Sequence, residues 1–447
     1  MSFRTVDEVE VDPGRVRIYA EGWQSWSPTS WAPWGVTHRP ESALEHAMRF
    51  RQGTELPTSG VHAEGLMVVD PGTGAPVRSY GVVDAVEQVA SLRAALNGDL
   101  LTVASDGPVR ALAHDGPVAA LTAYGDAFAR SAGVTGVRPP PRVWCSWYHY
   151  FEDVTAGDIE ENASAFDDHG LTVDVVQIDD GWSHGVGEWL RPRDGFPDLA
   201  RLVGDLRGAG RRVGIWLAPF FVGADSALAR KHPEWLTLEA GHNWRHDMRG
   251  LDLTHPGVRE YLHDAVRRLA DLGIDYFKLD FLYAGAVPAR RRDDVSGIAA
   301  YRSGLELLRD AAGPDAYLVG CGAPILPSVG LVDAMRVSPD TFHEGGEDGS
   351  RGLRGRMSLV ARAWQQGRFW VNDPDCLVAR PTYALREEWS RTVERFGGLP
   401  SCSDRVADLD QWGLVATRRL LDAAGTAAPF AGDVVATALE PVERTVP

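Results

Sequence analysis

The chain has 447 residues, 44% of them hydrophobic and 24% charged, enough to bury a large core and to make more than one domain. Its formal charge of −17 works against a nucleic-acid partner, which gathers Lys and Arg on one face, and makes a neutral or cationic small substrate easier to admit. No run of about 18 apolar residues occurs, and Met1 to Glu8 shows no apolar stretch behind a basic region, so no membrane partner and no export are expected and a cytoplasmic location is the default.

Residues 1–138 read as a β-sandwich-like domain, because short alternating segments such as 15–19 and 65–69 are separated by Gly and Pro turns. Within it Trp23, Trp26, Trp31 and Trp34 fall inside twelve positions, too dense for ordinary core. A face turned toward a binding site explains them, with packing between domains as the alternative. Arg138 and the three prolines 139–141 make a stiff connector.

From 142 to 424 the rhythm changes. Strand-like apolar runs at 142–147, 173–180, 212–219, 276–281, 317–322, 334–340, 368–375 and, more weakly, 399–404 alternate with helical patterns at 155–169, 198–210, 257–272, 296–312, 325–331, 351–366, 382–397 and 410–424. Eight strand–helix units in about 280 residues predict a (β/α)8 barrel. Residues 425–447 form a C-terminal tail.

In such a barrel the reactive groups sit at the C-terminal ends of the strands. Trp147, Tyr148 and His149 follow the first strand, Asp179 and Asp180 the second, Asp280 the fourth, Cys321 the fifth, Asp340 the sixth, and Asn372, Asp373 and Asp375 the seventh. An aspartate after a strand is usually a turn former or helix cap, which suits Asp373 and Asp375 beside Pro374. It suits Asp280 poorly, since Phe281, Leu282 and Tyr283 continue the apolar run. Lys278 lies two residues earlier and so on the same face of the strand, where an ammonium favours an ionised carboxylate.

Two carboxyls, sugar-stacking aromatics and hydrogen-bonding polar groups are what glycoside hydrolysis requires. An acid role for Asp340 needs a raised pKa, with Arg336 nearby to grip a hydroxyl. Asp179 and Asp180 are neighbours whose side chains alternate along a strand, so the second, Asp180, belongs to the loop rim. Cys145, Cys321, Cys376 and Cys402 show no CxxC spacing, and buried thiols are expected rather than a clustered thiol site. The loop 343–349 is Gly-rich and acidic, either a solvated loop or a lid.

Several segments resemble the α-galactosidases of glycoside hydrolase family 36. They are Trp23-Gln24-Ser25-Trp26, Trp144-Cys145-Ser146-Trp147-Tyr148-His149-Tyr150, Gln177-Ile178-Asp179-Asp180, Trp216-Leu217-Ala218-Pro219-Phe220, Phe277-Lys278-Leu279-Asp280-Phe281, Gly320-Cys321-Gly322, residues 336–341 and Asn372-Asp373-Pro374-Asp375-Cys376. The likeness runs over residues 20–424 in order. It implies that Asp280 is the nucleophile and Asp340 the general acid/base of a retaining double displacement. Asp179 and Asp180 would accept hydrogen bonds from O4 and O6 of galactose, Lys278 and Arg336 would bind ring hydroxyls, Cys321 would line the site, and Trp26, Trp147, Tyr148 and Trp216 would wall it. The implied partner is a small α-galactoside such as melibiose or raffinose, with no metal and no organic cofactor. Family members usually carry a larger N-terminal β domain and a C-terminal one, so a trimmed sandwich and a barrel without that cover are expected. A galactosyltransferase, an α-N-acetylgalactosaminidase and a non-catalytic galactoside-binding protein are the other readings.

Overall fold

A computed structural model describes residues 2–243, 246–343 and 345–439. Met1, Glu344 of the predicted loop and residues 440–447 of the predicted tail lie outside them.

Two antiparallel sheets open the chain, one of four strands and one of five. Val9, Ile18, Val61, Met67, Val69, Tyr80, Leu92 and Val103 come from both sheets and form one buried cluster, so the two layers are a sandwich. Two helices that alternation did not foretell accompany it. Ala43–Arg49 starts at Ser42, whose side chain accepts from the Glu45 N–H, and Pro117–Ser131 is an Ala-rich segment with proline in its first turn.

The second unit is a curled sheet of eight parallel strands: Val143–Cys145, Val175–Ile178, Arg212–Leu217, Tyr276–Leu279, Tyr317–Gly320, Ala334–Arg336, Val371–Asp373 and Ser401–Cys402. The spatial order follows the sequence, with the eighth strand beside the first. Between seventh and eighth, the Gly398 and Leu399 N–H groups donate to the Asn372 carbonyl at 2.9 and 3.1 Å. The fold is therefore a (β/α)8 barrel behind a β-sandwich.

Helix and strand periods show why. In Leu199–Gly208 the buried residues are Leu199, Leu202, Val203 and Leu206, one stripe at i, i+3, i+4 and i+7, and Asp198 caps the start. Ala156–Asp168 begins with a reciprocal capping box between Thr155 and Asp158. In the strands the period is two: Val143, Val175, Tyr276, Tyr317, Ala334, Val371 and Leu399 share one buried cluster, the barrel floor, while Phe277 and Leu279 belong to the outer core. Counting upward from Tyr276, Lys278 and Asp280 lie on the inward face toward the C-terminal mouth.

A long insertion follows the third strand. Phe221–Gly223, Leu236–Asn243 and His246–Leu251 form a small antiparallel sheet that leans on the Ala43–Arg49 helix. Gly241, at φ +124°, sits where a Cβ would lie 2.7 Å from Met48 and 2.8 Å from the Tyr283 hydroxyl, so this contact needs glycine.

One buried cation fastens the sandwich to the barrel. Arg362 is fully buried; its Nε meets Glu21 Oε1 at 2.8 Å, and its two terminal nitrogens donate to the carbonyls of Gln24, Ser25 and Val337 and to Thr29 Oγ1. The loop carrying Trp26 is thereby held against the end of the sixth strand. No helix among the described residues is long and apolar enough to cross a membrane.

Candidate active site

A cavity of about 360 Å³ opens at the C-terminal mouth of the barrel. All the predicted site residues except Cys321 and Arg336 line it: Asp280, Asp340, Asp179, Asp180, Lys278, Trp26, Trp147, Tyr148 and Trp216. It is closed on the outside by the Ala43–Arg49 helix, by His242 and Asn243 of the inserted hairpin, and by Phe342, His343 and Arg354 beyond the sixth strand.

Asp280 stands one residue past its strand, held on both oxygens. Oδ2 accepts from Trp216 Nε1 at 3.0 Å and Oδ1 from the Phe281 N–H at 2.8 Å. Phe281 itself is left-handed at φ +49°, a strained setting for a bulky residue that turns the chain sharply after the carboxylate. Its ring meets Trp26 edge-on at 5.0 Å. Gly322 permits that approach, since a Cβ there would lie 3.0 Å from the Trp26 ring. Burial pushes the Asp280 pKa up; Lys278, the Cys321 thiol and Trp216 offset only part of this, and the charge of Asp340 adds to it.

Lys278 faces a different carboxylate from the one expected. Its Nζ lies 2.8 Å from Asp179 Oδ2, which also accepts from Gln177 Nε2 at 2.5 Å and from the Cys145 thiol at 3.2 Å. Sharing a strand face put Lys278 near Asp280, but the ion pair runs across the barrel. Burial works against the ammonium, yet the fields of Asp179, Cys145 and Asp280 outweigh it and hold its pKa well above the usual value. Lys278 is therefore cationic and its charge reaches both carboxylates.

Asp340 differs more from expectation. Its side chain is 46% exposed, and Arg336 Nη2 holds its Oδ1 at 3.0 Å. Burial raises its pKa, but Arg336, Arg354 and Lys278 outweigh that and the net direction is down. The acid candidate is thus held toward its ionised form by three cations.

Neither Cys321, expected to line the site, nor Arg336, expected to bind ring hydroxyls, lines this cavity. Cys321 is fully buried and hydrogen-bonds Asp280 from behind. Arg336 is 3% exposed and its Nη2 lies 3.0 Å from both Asp340 and Asp375, so the guanidinium is committed to carboxylates rather than to open cavity. The other thiols are also buried and free, Cys145 lying against Cys376. Among the described residues no three His, Cys, Asp or Glu side chains gather as a metal ion needs.

Asp180 is nearly as buried as Asp179 and not a rim residue. Its Oδ1 accepts from the Gly181 N–H at 2.8 Å and its Oδ2 from Asn243 Nδ2 at 3.4 Å. Burial, then Glu152 and Asp179, push its pKa from 3.8 up to about 7. The folded state therefore holds a proton that the unfolded chain releases above about pH 4. Stability from this group is full below about pH 4 and is lost as pH rises through 7, a span worth up to about 4 kcal/mol. Asp180→Asn is expected to flatten the fall in Tm between pH 5 and 8, read by thermal melts at several pH values; an unchanged slope would contradict the assignment.

Sequence reasoning missed Asn243, His242, Phe281, Phe342, Arg49 and Arg354. The signal for the hairpin was the 37 residues, 220–256, between the predicted third strand and its helix, far longer than an ordinary connection.

The family model described as Melibiase matches residues 133–296. α-Galactosidase C of Emericella nidulans is 32% identical over 174 residues, 34% of this chain and 22% of that protein. α-Xylosidase XylQ of Lactiplantibacillus pentosus is 29% identical over 167 residues, again 34% of this chain and 22% of that protein. The chain thus matches only about a fifth of the length of these curated relatives. TtGalA, an α-galactosidase from Thermus thermophilus solved in complex with p-nitrophenyl α-D-galactopyranoside, superposes with a TM-score of 0.76 at 29% identity, covering 94% of this chain and 91% of that one. Motifs, barrel and mouth together make this chain similar to the melibiase-like α-galactosidases of glycoside hydrolase family 36.

Proposed function

We propose that the chain is an exo-acting, retaining α-galactosidase that releases terminal galactose from small α-galactosides. The observation that supports this most is that Asp280 and Asp340 share one cavity with Asp179 and Asp180, close enough for the charge of Asp340 to act on Asp280. In the first step an Asp280 oxygen attacks the anomeric carbon while the glycosidic C–O bond breaks and Asp340 gives its proton to the departing oxygen. In the second, Asp340 takes a proton from water, whose oxygen displaces Asp280 and restores its carboxylate.

The electrostatics suit an alternation between these states. With Asp280 ionised, its negative charge favours the proton on Asp340, and a sugar that displaces water from the half-exposed Asp340 adds to its burial. Once Asp280 is esterified that charge is gone, the Arg336, Arg354 and Lys278 cations prevail, and Asp340 is a base. Trp216 and the Phe281 N–H hold the nucleophile's orientation, while Asp179 and Asp180, acceptors at the end of the cavity, read O4 and O6. Lys278 reaches ring hydroxyls beside Asp179. Trp26, Trp147 and Tyr148 wall the ring. Domain limits of 1–138 and 142–424 fit this division of labour, in which the first supplies Trp26 and the second the carboxyls.

Initial rates on p-nitrophenyl α-galactoside, α-N-acetylgalactosaminide, α-xyloside and β-galactoside test the reading. The α-galactoside should lead by about 10²-fold or more. A lead by the α-xyloside or the N-acetyl sugar, or no turnover of any, would overturn it.

A further inference from the structure

Asp375 is the most heavily engaged carboxylate in the barrel mouth. Its Oδ2 accepts from the Thr341 N–H at 2.8 Å, from Thr341 Oγ1 at 2.8 Å and from the Tyr148 hydroxyl, and lies 3.0 Å from Arg336 Nη2. Oδ1 accepts from the Cys376 N–H at 2.8 Å, and the Asp373 side chain accepts from the Asp375 N–H at 2.9 Å. The side chain is 3% exposed and the backbone sits at φ +85°, a conformation that costs a non-glycine residue free energy unless its surroundings hold it there. A turn former after a strand needs none of these ties.

The same contacts lead to Asp340. Thr341 is its chain neighbour, and Arg336 Nη2 is shared between Asp340 and Asp375 at the same 3.0 Å. On the reading of Asp340 as acid/base, we infer that Asp375 is a positioning residue: by sharing Arg336 and anchoring Thr341 it sets where Asp340 stands and how readily it holds its proton. An unshared Arg336 would bind Asp340 as a full ion pair and keep it ionised; with its charge divided, Asp340 can act as an acid. The other groups acting on Asp340 are Arg354, Lys278, Asp280 and Tyr148, and those acting on Asp375 include Asp373 and Tyr383. The field of Arg336 also reaches Asp373 and Tyr148, but its ion pairs at 3.0 Å are with Asp340 and Asp375.

Asp375→Asn removes the charge, keeps an acceptor oxygen, and puts at φ +85° one of the residues most tolerant of that region. Rates are compared on raffinose, whose sugar leaving group needs a proton, and on 2,4-dinitrophenyl α-galactoside, whose leaving group does not. The ratio of the two, taken on one preparation, is independent of how much variant folds. Expected is a loss of about 10- to 100-fold on raffinose, less than about 3-fold on the aryl substrate, and an alkaline limb of kcat/KM displaced by about one pH unit downward. Equal losses with an unmoved limb would overturn the inference and leave a structural role only. Should Asp375→Asn not fold, Thr341→Val deletes one tie and leaves every charge in place; a few-fold loss confined to raffinose supports the inference and an equal loss on both substrates overturns it. Asp340→Ala separates the two readings: no leaving-group dependence there ends the acid/base assignment, whereas dependence there without it in Asp375→Asn ends only the role of Asp375.

Discussion

Asp280→Ala is expected to lower kcat on an aryl α-galactoside by about 10⁴- to 10⁶-fold without unfolding the protein. The carboxylate is 7% exposed, and burial disfavours its charge in the folded state, so its removal relieves one cost. Against this, Trp216 Nε1 and the Phe281 N–H lose an acceptor, at about 1–3 kcal/mol each if water does not replace it. The two effects oppose, and Tm should move by only a few degrees. The vacancy is next to the anomeric carbon, so azide should restore turnover of an activated substrate and give the β-galactosyl azide. Circular dichroism, kcat and product NMR on one preparation check all three. An active alanine variant, or azide with no effect on a folded one, would remove Asp280 from the nucleophile's place.

The second large effect falls on stability. Arg362→Met should destabilise the fold by about 3–5 kcal/mol, because Glu21, 1% exposed, would keep a buried charge without its cation. Its remaining partners are neutral: Tyr19, Gln365, Thr29 and the Gly22 N–H. The carbonyls of Gln24 and Ser25 would also lose their donor, freeing the loop that carries Trp26. KM for an α-galactoside should therefore rise while kcat changes less, and the double variant Glu21→Gln/Arg362→Met should recover part of the lost stability. Urea melts and Michaelis constants measure both. A single variant as stable as the parent would show that the sandwich is not fastened at this point.

How much of this was legible depended on whether the signal was local. Each barrel strand is a short apolar run, and the two-residue period that lifts Tyr276, Lys278 and Asp280 toward the mouth is written in five consecutive residues. The motif residues at strand ends were therefore found. Arg362 and Glu21 are 341 positions apart, and nothing in either neighbourhood announces the other. The Lys278 pair with Asp179 was missed for a related reason: strand face was readable, whereas the nearest partner across a closed barrel was not. Asp375 has the local look of a turn residue, Pro374 before it, and only the fold shows four donors meeting at one of its oxygens. The Ala43–Arg49 helix and the 221–251 hairpin were lost in segments read as sandwich and loop, although together they close the outer cavity. The direction of the Asp340 pKa was likewise beyond reach, since it depends on Arg354, which joins the site from a loop fourteen residues on.

The central claim is a double displacement through Asp280, and the configuration of the first-formed sugar tests it most directly. Proton NMR through the first minutes of hydrolysis of an α-galactoside by the wild-type chain should show α-galactose first, with the β anomer growing only later by mutarotation. β-Galactose as the first product would contradict attack by Asp280 and the pairing of roles built upon it.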